Sequence, residues 1–461
     1  MTVRNIHIII FSSKGDTMFH TVQLSKSDPT PLYIQLASEI ARLIQSDIFP
    51  GGFKLPSIRG LSRQLTINRD TVVSAYKLLE NQGLVESYVG KGTYVVLKET
   101  TRLPAEASKE LNNIYCSTLG FSKDLFPTSL CINLAHTLIN EEGWGAFSDP
   151  LFRERNLLKQ NACCFLEGAG IKANAAQLHV VKQYTDFLLS LFKFSSKKGI
   201  CTEAFSDLTY SSYLRSIGAK IHEIPINQEG LDLDKLEKQL RSGTIGYIFL
   251  STYLQNPTGV CYSESVKIKL VELAHTYDCY IIEDGTLSDF FCGPESLRPL
   301  FNHFSKERVI YVYHFSKVYL PYLRYSFVLL PTSMIKSMPD ETSCSFNEYL
   351  LRYYLQSSFL KSNQKWMLDS CSEKYTKLYL ALSSLTDKVA LYSSHGGLFF
   401  WIKPLRLSCQ EVCSLFIQHN IIVSPGSLFT YSGKTDYFRL ATPHLTLKHV
   451  DEIINLVELS F

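Results

Sequence analysis

The chemistry-bearing stretch that stands out first in this 461-residue chain is His314-Phe315-Ser316-Lys317, which directly follows the apolar run Val309–Tyr313. A lysine held at a strand end, partly out of water, gives up its proton more readily and can condense with a carbonyl compound as a Schiff base. Arg324 follows seven residues later, close enough to offer a charge-assisted clamp for a phosphate. Asp284 ends a second strand-like run, Tyr280-Ile281-Ile282-Glu283, and a buried carboxylate there needs a partner such as a pyridinium nitrogen. Gln255-Asn256-Pro257-Thr258-Gly259 is a turn able to aim the Asn256 amide at a ring hydroxyl. Arg439, in Tyr437-Phe438-Arg439-Leu440, has the planar fork that grips a carboxylate. Each also has an ordinary reading: two loop cations, a capping Asp before Gly285, a good turn, a strand arginine in an ion pair.

These residues need a scaffold that brings strand ends together. From about Tyr115 onward, strand-like runs alternate with helical ones: Leu178–Val181, Gly199–Thr202, Lys220–Ile224, Tyr247–Ser251, Tyr280–Glu283, Val309–Tyr313 and Ser326–Leu330. Alternation of that kind predicts an α/β layered domain with a mostly parallel sheet. From about Trp366 a long helix, strands at Leu398–Ile402, Ile421–Val423 and Tyr437–Ala441, and a closing helix predict a smaller α+β subdomain. The chain is too long for one core. It divides into an N-terminal extension at 1–25, expected to be disordered, a head at 26–97, a polar linker at 98–114 and a body at 115–461. The body has a large part to about 335 and a small part from about 366.

The head has a different pattern. Leu32, Leu36, Ile40, Leu43 and Ile44 predict a helix over Leu32 to Ile48. Ser57 caps a short helix to Leu65, Thr66-Ile67-Asn68 is a turn, and a third helix runs from Arg69 to Asn81, ended by Gly83. Leu84–Ser87 and Thr93–Leu97 read as a hairpin around Gly90-Lys91-Gly92. Helix, short helix, turn, helix, hairpin is the layout of a winged helix-turn-helix. Between Pro31 and Lys98 eight Lys and Arg face five Asp and Glu, so this stretch carries the whole +3 formal charge of the chain. Arg59, Arg63, Arg69 and Lys91 sit where such a domain meets nucleic acid, with the third helix presenting its N-terminus to base edges.

Composition narrows the rest. Forty-five per cent hydrophobic and 19% charged residues suit a globular protein, and no apolar run is long enough for a membrane span. The first 22 residues lack a cleavage site, so a cytoplasmic location is expected. None of the twelve cysteines forms a C-x-x-C pair, which predicts buried, reduced thiols and no metal site.

Leu55-Pro56-Ser57-Ile58-Arg59, Asn68-Arg69-Asp70-Thr71-Val72, Gly83-Leu84-Val85 and Gly90-Lys91-Gly92-Thr93-Tyr94-Val95 closely resemble the GntR winged-helix family. The resemblance implies operator DNA as partner, contacted by Ser57, Arg59, Arg69, Thr71 and the wing residues Gly90, Lys91 and Gly92. Asn-Pro-Thr-Gly, Asp284, Ser-Lys with Arg seven residues on, and Phe-Arg-Leu stand in the order of fold-type I aminotransferases. The two together resemble the MocR subfamily of regulators. That resemblance implies a head-to-tail homodimer that binds pyridoxal 5'-phosphate and an amine or amino-acid effector. Lys317 would form the Schiff base, Asp284 would meet the ring nitrogen, Asn256 the ring hydroxyl, Arg324 and Ser316 the phosphate, and Arg439 the effector carboxylate.

The chain departs from the family inside this pocket. A Ser-Gly-Ala-type turn that cradles phosphate is replaced by Val181-Lys182-Gln183-Tyr184-Thr185. The Asp-Pro-x-Tyr loop falls on Ala204–Asp207, with Phe205 a substitute for the stacking ring. Thr286 replaces a tyrosine and Ser326 a glycine. Three readings stay open: a pyridoxal-phosphate-responsive regulator, a working aminotransferase, and a regulator whose body no longer binds the cofactor.

Overall fold

The computed structural model describes residues 5–11, 17–25, 28–45, 49, 53–88, 92–96, 113–120, 128–147, 152–293, 296–304, 307–320, 323–338, 346–392 and 396–461. It divides into two compact units, Met1–Glu110 and Leu111–Phe461.

In the first unit, β1 (Asn5–Phe11) and β2 (Thr17–Gln23) form an antiparallel hairpin, with Asn5 opposite Gln23 and Phe11 opposite Thr17. These strands fall in the stretch expected as a loose extension, where three consecutive isoleucines in one strand, and Thr and Val in the other, favour a pleated backbone. Helix α1 spans Leu32–Gln45, α2 Ile58–Leu65 and α3 Arg69–Asn81. Ser57 Oγ accepts from Gly60 N at 3.1 Å, and Asn68 Oδ1 from Asp70 N at 3.2 Å, so both short-range caps use side chains suited to an N-terminus. Thr66 closes α2 in the left-handed region at φ 54°, which turns the chain into α3. Gly83, at φ 68°, does the same after α3. Then β3 (Val85–Tyr88) pairs with β4 (Gly92–Val95). The wing has a further edge that the sequence reading missed: Leu55 N donates to Thr93 O at 2.8 Å and Val95 N to Phe53 O at 2.9 Å. Leu36, Ile40, Leu43, Leu61, Leu65, Val72, Leu79, Val85 and Val95 close one apolar core under the three helices.

In the second unit, β5 (Ile114–Cys116) comes first, and the strands β6 (Leu178–Val181), β7 (Gly199–Glu203), β8 (Lys220–Ile224), β9 (Ile226–Asn227), β10 (Gly230–Leu231), β11 (Ile245–Leu250), β12 (Tyr280–Asp284), β13 (Val309–Tyr313) and β14 (Ser326–Leu329) follow. Seven of them form one sheet in the order β6-β14-β13-β12-β11-β7-β8. Neighbours are parallel except at β14, which is antiparallel to both β13 and β6. All five residues of β13 are buried, the continuous apolar reading expected of a strand covered on both faces. The pleat sorts them: Val309, Tyr311 and Tyr313 join one core, Ile310 and Val312 the other.

A second sheet follows, with β15 (Val389–Leu391), β16 (Phe399–Pro404), β17 (Ile421–Pro425) and β18 (Phe438–Ala441) in the order β15-β16-β18-β17-β5. Here an expectation is corrected. Ile114–Cys116, read as the end of a linker and the start of the large part, runs parallel beside β17 and belongs to the small sheet. Ile114 N donates to Asn420 O at 2.7 Å, and Cys116 is fully buried, so tertiary pairing decides a three-residue segment too short to show a period. The long helix spans Phe359–Ser384, starting earlier than Trp366. Cys116, Cys163, Cys201, Cys279 and Cys371 are buried free thiols, whereas Cys164 and Cys292 are exposed. Among the described residues, no group of His, Cys, Asp and Glu has a metal-binding arrangement, and no helix is long and apolar enough to cross a membrane.

Candidate functional site

Lys317 lies on the one-turn helix Phe315–Val318, immediately after β13. That turn is clamped to the chain ahead of β14. Ser316 N donates to Tyr325 O at 3.1 Å, and Tyr325 N donates to Ser316 Oγ at 2.8 Å. The Ser316 hydroxyl, assigned by resemblance to a phosphate, therefore already holds a backbone amide, with its own proton left to donate. Lys317 Nζ meets Asp207 Oδ2 at 2.5 Å, the two side chains 34% and 30% exposed. Asp207 follows β7 and is steadied by Thr209, whose N donates to Oδ1 at 3.0 Å and whose hydroxyl also donates there. Burial pushes the Asp207 carboxyl up, but the Lys317 charge and the Thr209 bonds outweigh it and hold the carboxyl below its ordinary range. Burial likewise pulls Lys317 down, and Asp207 with Asp284 outweighs that, raising the amine above its ordinary range.

Asp284 ends β12, next in the sheet to β13. Thr286 binds it twice, N to Oδ1 at 2.9 Å and Oγ1 to Oδ1 at 2.5 Å, while the same hydroxyl accepts from His314 N at 2.9 Å. Two of the departures noted above thus have local work: Thr286 ties the ends of β12 and β13 together, and Ser326 Oγ meets His314 Nδ1 at 2.8 Å. The His314 ring packs edge-on to Tyr184 at 4.5 Å, and Tyr184 lies 4.9 Å from Tyr210. Burial lowers the His314 pKa. Asn256, before a cis proline, turns its Oδ1 to Arg439 Nη1 at 2.7 Å, which leaves the amide NH2 to donate. Arg439 Nη2 donates to Ser117 O at 2.7 Å. No carboxylate pairs with Arg439 among its hydrogen bonds, and its buried Nε has no acceptor among the described residues. Burial brings this guanidinium down to about 10.

One cavity of about 780 Å³ is lined by Lys317, Asp207, Asn256, Arg439, Ser316, Arg324, His314, Tyr184 and Lys182. A narrower recess of about 110 Å³ beside it adds Asp284, Thr286 and Glu203. Arg324 is exposed and held at φ 59°. The helix Tyr184–Phe194 opens onto the cavity, and its N-cap Gln183 makes no side-chain cap. Amine, carboxylate, amide, guanidinium and helix N-terminus converge, and these functions fit the aldehyde, pyridinium, ring hydroxyl and phosphate of pyridoxal phosphate. Arg439 has an unused donor suited to a carboxylate. Phe205, the proposed ring-stacking substitute, instead packs against Trp401 and Tyr437. Asp207, His314 and Tyr184 lie in stretches singled out in the sequence but gain no role there, and Tyr210 is not singled out, because a side chain's partners across the sheet leave no spacing signature.

In the head, Ser57, Arg59 and Arg69 are exposed and Thr71 half-buried, all on α2, α3 and their caps. Gly92 stands at φ 113°, where an added Cβ would lie 2.9 Å from Lys54 Cε. Gly90 and Lys91 lie outside the described residues.

Residues 159–457 match the family model for aminotransferase class I and II, and residues 32–95 that for bacterial regulatory proteins of the gntR family. The chain belongs to the class I and II aminotransferase family and carries a GntR-type head in front of that body, a MocR-like layout. It is 26% identical over 363 residues to the uncharacterized HTH-type transcriptional regulator YcxD of Bacillus subtilis, covering 76% of this chain and 80% of that one. It is 23% identical over 444 residues to the uncharacterized HTH-type transcriptional regulator YdcR of Escherichia coli, covering 89% and 94%. Among solved structures, an archaeal alanine:glyoxylate aminotransferase superposes with a TM-score of 0.67 at 19% identity, over 77% of this chain and 92% of that one. LysN, the alpha-aminoadipate aminotransferase of Thermus thermophilus, superposes at 0.64 and 21% identity, over 77% and 94%. These likenesses establish a fold-type I body.

Proposed function

We propose that the protein is a cytoplasmic, homodimeric transcriptional regulator whose head binds operator DNA and whose body holds pyridoxal 5'-phosphate and an amine or amino-acid effector. The observation that carries the reading is the convergence of Lys317, Asp284, Asn256, Arg324 and Arg439 on adjoining cavities in a chain with a GntR-type head. When bound, the cofactor supplies an electrophilic carbon that links amines covalently and a ring that withdraws electrons. Lys317 is the tether. Asp284, fixed by Thr286, orients the ring through its nitrogen, and the free NH2 of Asn256 donates to the ring oxygen. Arg324, the Ser316 hydroxyl and the amides at the start of the helix Tyr184–Phe194 take the phosphate. Arg439 receives the effector carboxylate. In the head, Ser57, Arg59, Arg69 and Thr71 face the operator, with Gly90, Lys91 and Gly92 as the wing.

Sensing is favoured over turnover by the altered pocket, where Val181-Lys182-Gln183-Tyr184-Thr185 stands in place of a phosphate-cradling turn, since turnover needs a firmly oriented ring. Full-length protein incubated with pyridoxal phosphate, reduced with borohydride and digested should carry the adduct on Lys317, and Lys317→Ala should carry none. Addition of amino acids should then change operator affinity in the wild type alone. Absence of any adduct on Lys317 overturns the reading in favour of a body that has lost its cofactor.

A further inference from the structure

The cavity wall contains an acid that none of the roles above uses. Asp207 sits on the loop after β7, and its Oδ2 lies 2.5 Å from the nitrogen that would capture the cofactor. Its other oxygen is occupied by both donors of Thr209, so the carboxylate is fixed in orientation and cannot swing away without losing three bonds. The loop is anchored in turn, since Ser206 N donates to Phe429 O at 2.9 Å. The other titratable groups that act on this pair come from four further elements: Asp284 at the end of β12, Tyr210 before the helix Ser211–Ser216, His314 after β13, and Arg439 on β18. Asp284 is already committed to Thr286, which leaves Asp207 as the acid in direct contact with the Lys317 ammonium.

We propose that Asp207 is the positioning residue of Lys317: it pins Nζ against the β7 loop as an ammonium, and aldehyde capture at this lysine requires that pair to open. Condensation needs the uncharged amine. The ammonium first releases a proton to solvent, the nitrogen then bonds to the aldehyde carbon, and the carbonyl oxygen departs as water. Asp207 therefore sets the pH at which the lysine becomes a nucleophile, and a neutral side chain in its place makes Lys317 reactive at lower pH. The burial of Lys317 would by itself push the same way, and Asp207 is what opposes it.

This inference rests on the cofactor reading above, and its test separates the two. Full-length protein without cofactor is labelled with acetic anhydride across a pH series, and acetylation of Lys317 is followed by peptide mass spectrometry. Asp207→Asn should lower the midpoint of Lys317 labelling by about one to three pH units, the range an adjacent opposite charge produces. Asp207→Glu should restore most of it, which a merely structural role would not do. With pyridoxal phosphate and borohydride, the pH profile of adduct formation should move with the labelling midpoint. An unchanged midpoint in Asp207→Asn, with circular dichroism and thermal unfolding as in the wild type, overturns the proposal. A shifted midpoint with no adduct on Lys317 in either protein supports the Asp207 role and overturns the cofactor reading instead.

Discussion

Glu203, at the end of β7, supports the site from below. Its carboxylate accepts from Tyr262 Oη at 2.6 Å, Gln255 Nε2 at 2.9 Å and Ser251 N at 3.2 Å, while Gln255 in turn fixes the turn that carries Asn256 through Thr258 N at 3.0 Å. Burial raises its carboxyl to about 7, against the three donors that pull it down. A carboxyl raised on folding binds its proton more tightly in the native state than in the unfolded one. Its contribution to stability is therefore full below the unfolded value of 4.5 and is lost as pH rises through about 7. Glu203→Gln should have a melting temperature that falls less between about pH 5 and pH 7 than the wild type does. An identical slope in both proteins would show that this carboxyl is already ionised throughout. Asp207 has the opposite sign: its lowered carboxyl contributes above its ordinary range and loses that contribution as pH falls. Neither residue announces itself in the sequence, because its role comes from partners 48 to 110 positions away.

At the scale of elements, the head is the better-determined half. Ser57, Thr66, Asn68 and Gly83 each terminate a helix by local chemistry, so α2 and α3 run as the spacing predicts. Ser57→Ala should cost about 1 kcal/mol of stability through the lost cap. Arg69→Ala, in an exposed side chain at the first residue of α3, should leave the melting temperature nearly unchanged yet weaken operator binding. If Arg69 meets a phosphate, the slope of log affinity against log salt should fall by about 1. A variant with wild-type affinity at every salt concentration would remove Arg69 from the interface. The body's strands were legible for a different reason. Strands buried on both faces, such as Leu178–Val181 and Val309–Tyr313, read as apolar runs bounded by turns, and these two and the half-exposed edge strand Lys220–Ile224 keep their sequence-derived limits. Ile114–Cys116 was not legible, since its partner β17 lies some three hundred residues on.

At the scale of the whole molecule, the two units have separate apolar cores: one in the head, and those of the two sheets in the body. A fragment of residues 1–110 and one of residues 111–461 should each unfold cooperatively, the first retaining operator binding and the second the Lys317 adduct. Loss of folded structure in either fragment, seen by circular dichroism, would show that the cores depend on one another. The sequence alone determined the winged-helix head, the aminotransferase-like body and the order along the chain of most strands in its large sheet. Periodicity, capping and motif spacing are local properties, written along the chain. The tertiary structure decided what surrounds the site residues: that Asn256 faces Arg439, that Thr286 and Ser326 bind Asp284 and His314, and that Lys317 faces Asp207. Those choices depend on which strand ends the sheet brings side by side, and charge and hydrogen bonding act over a few ångströms of space whatever the distance along the chain.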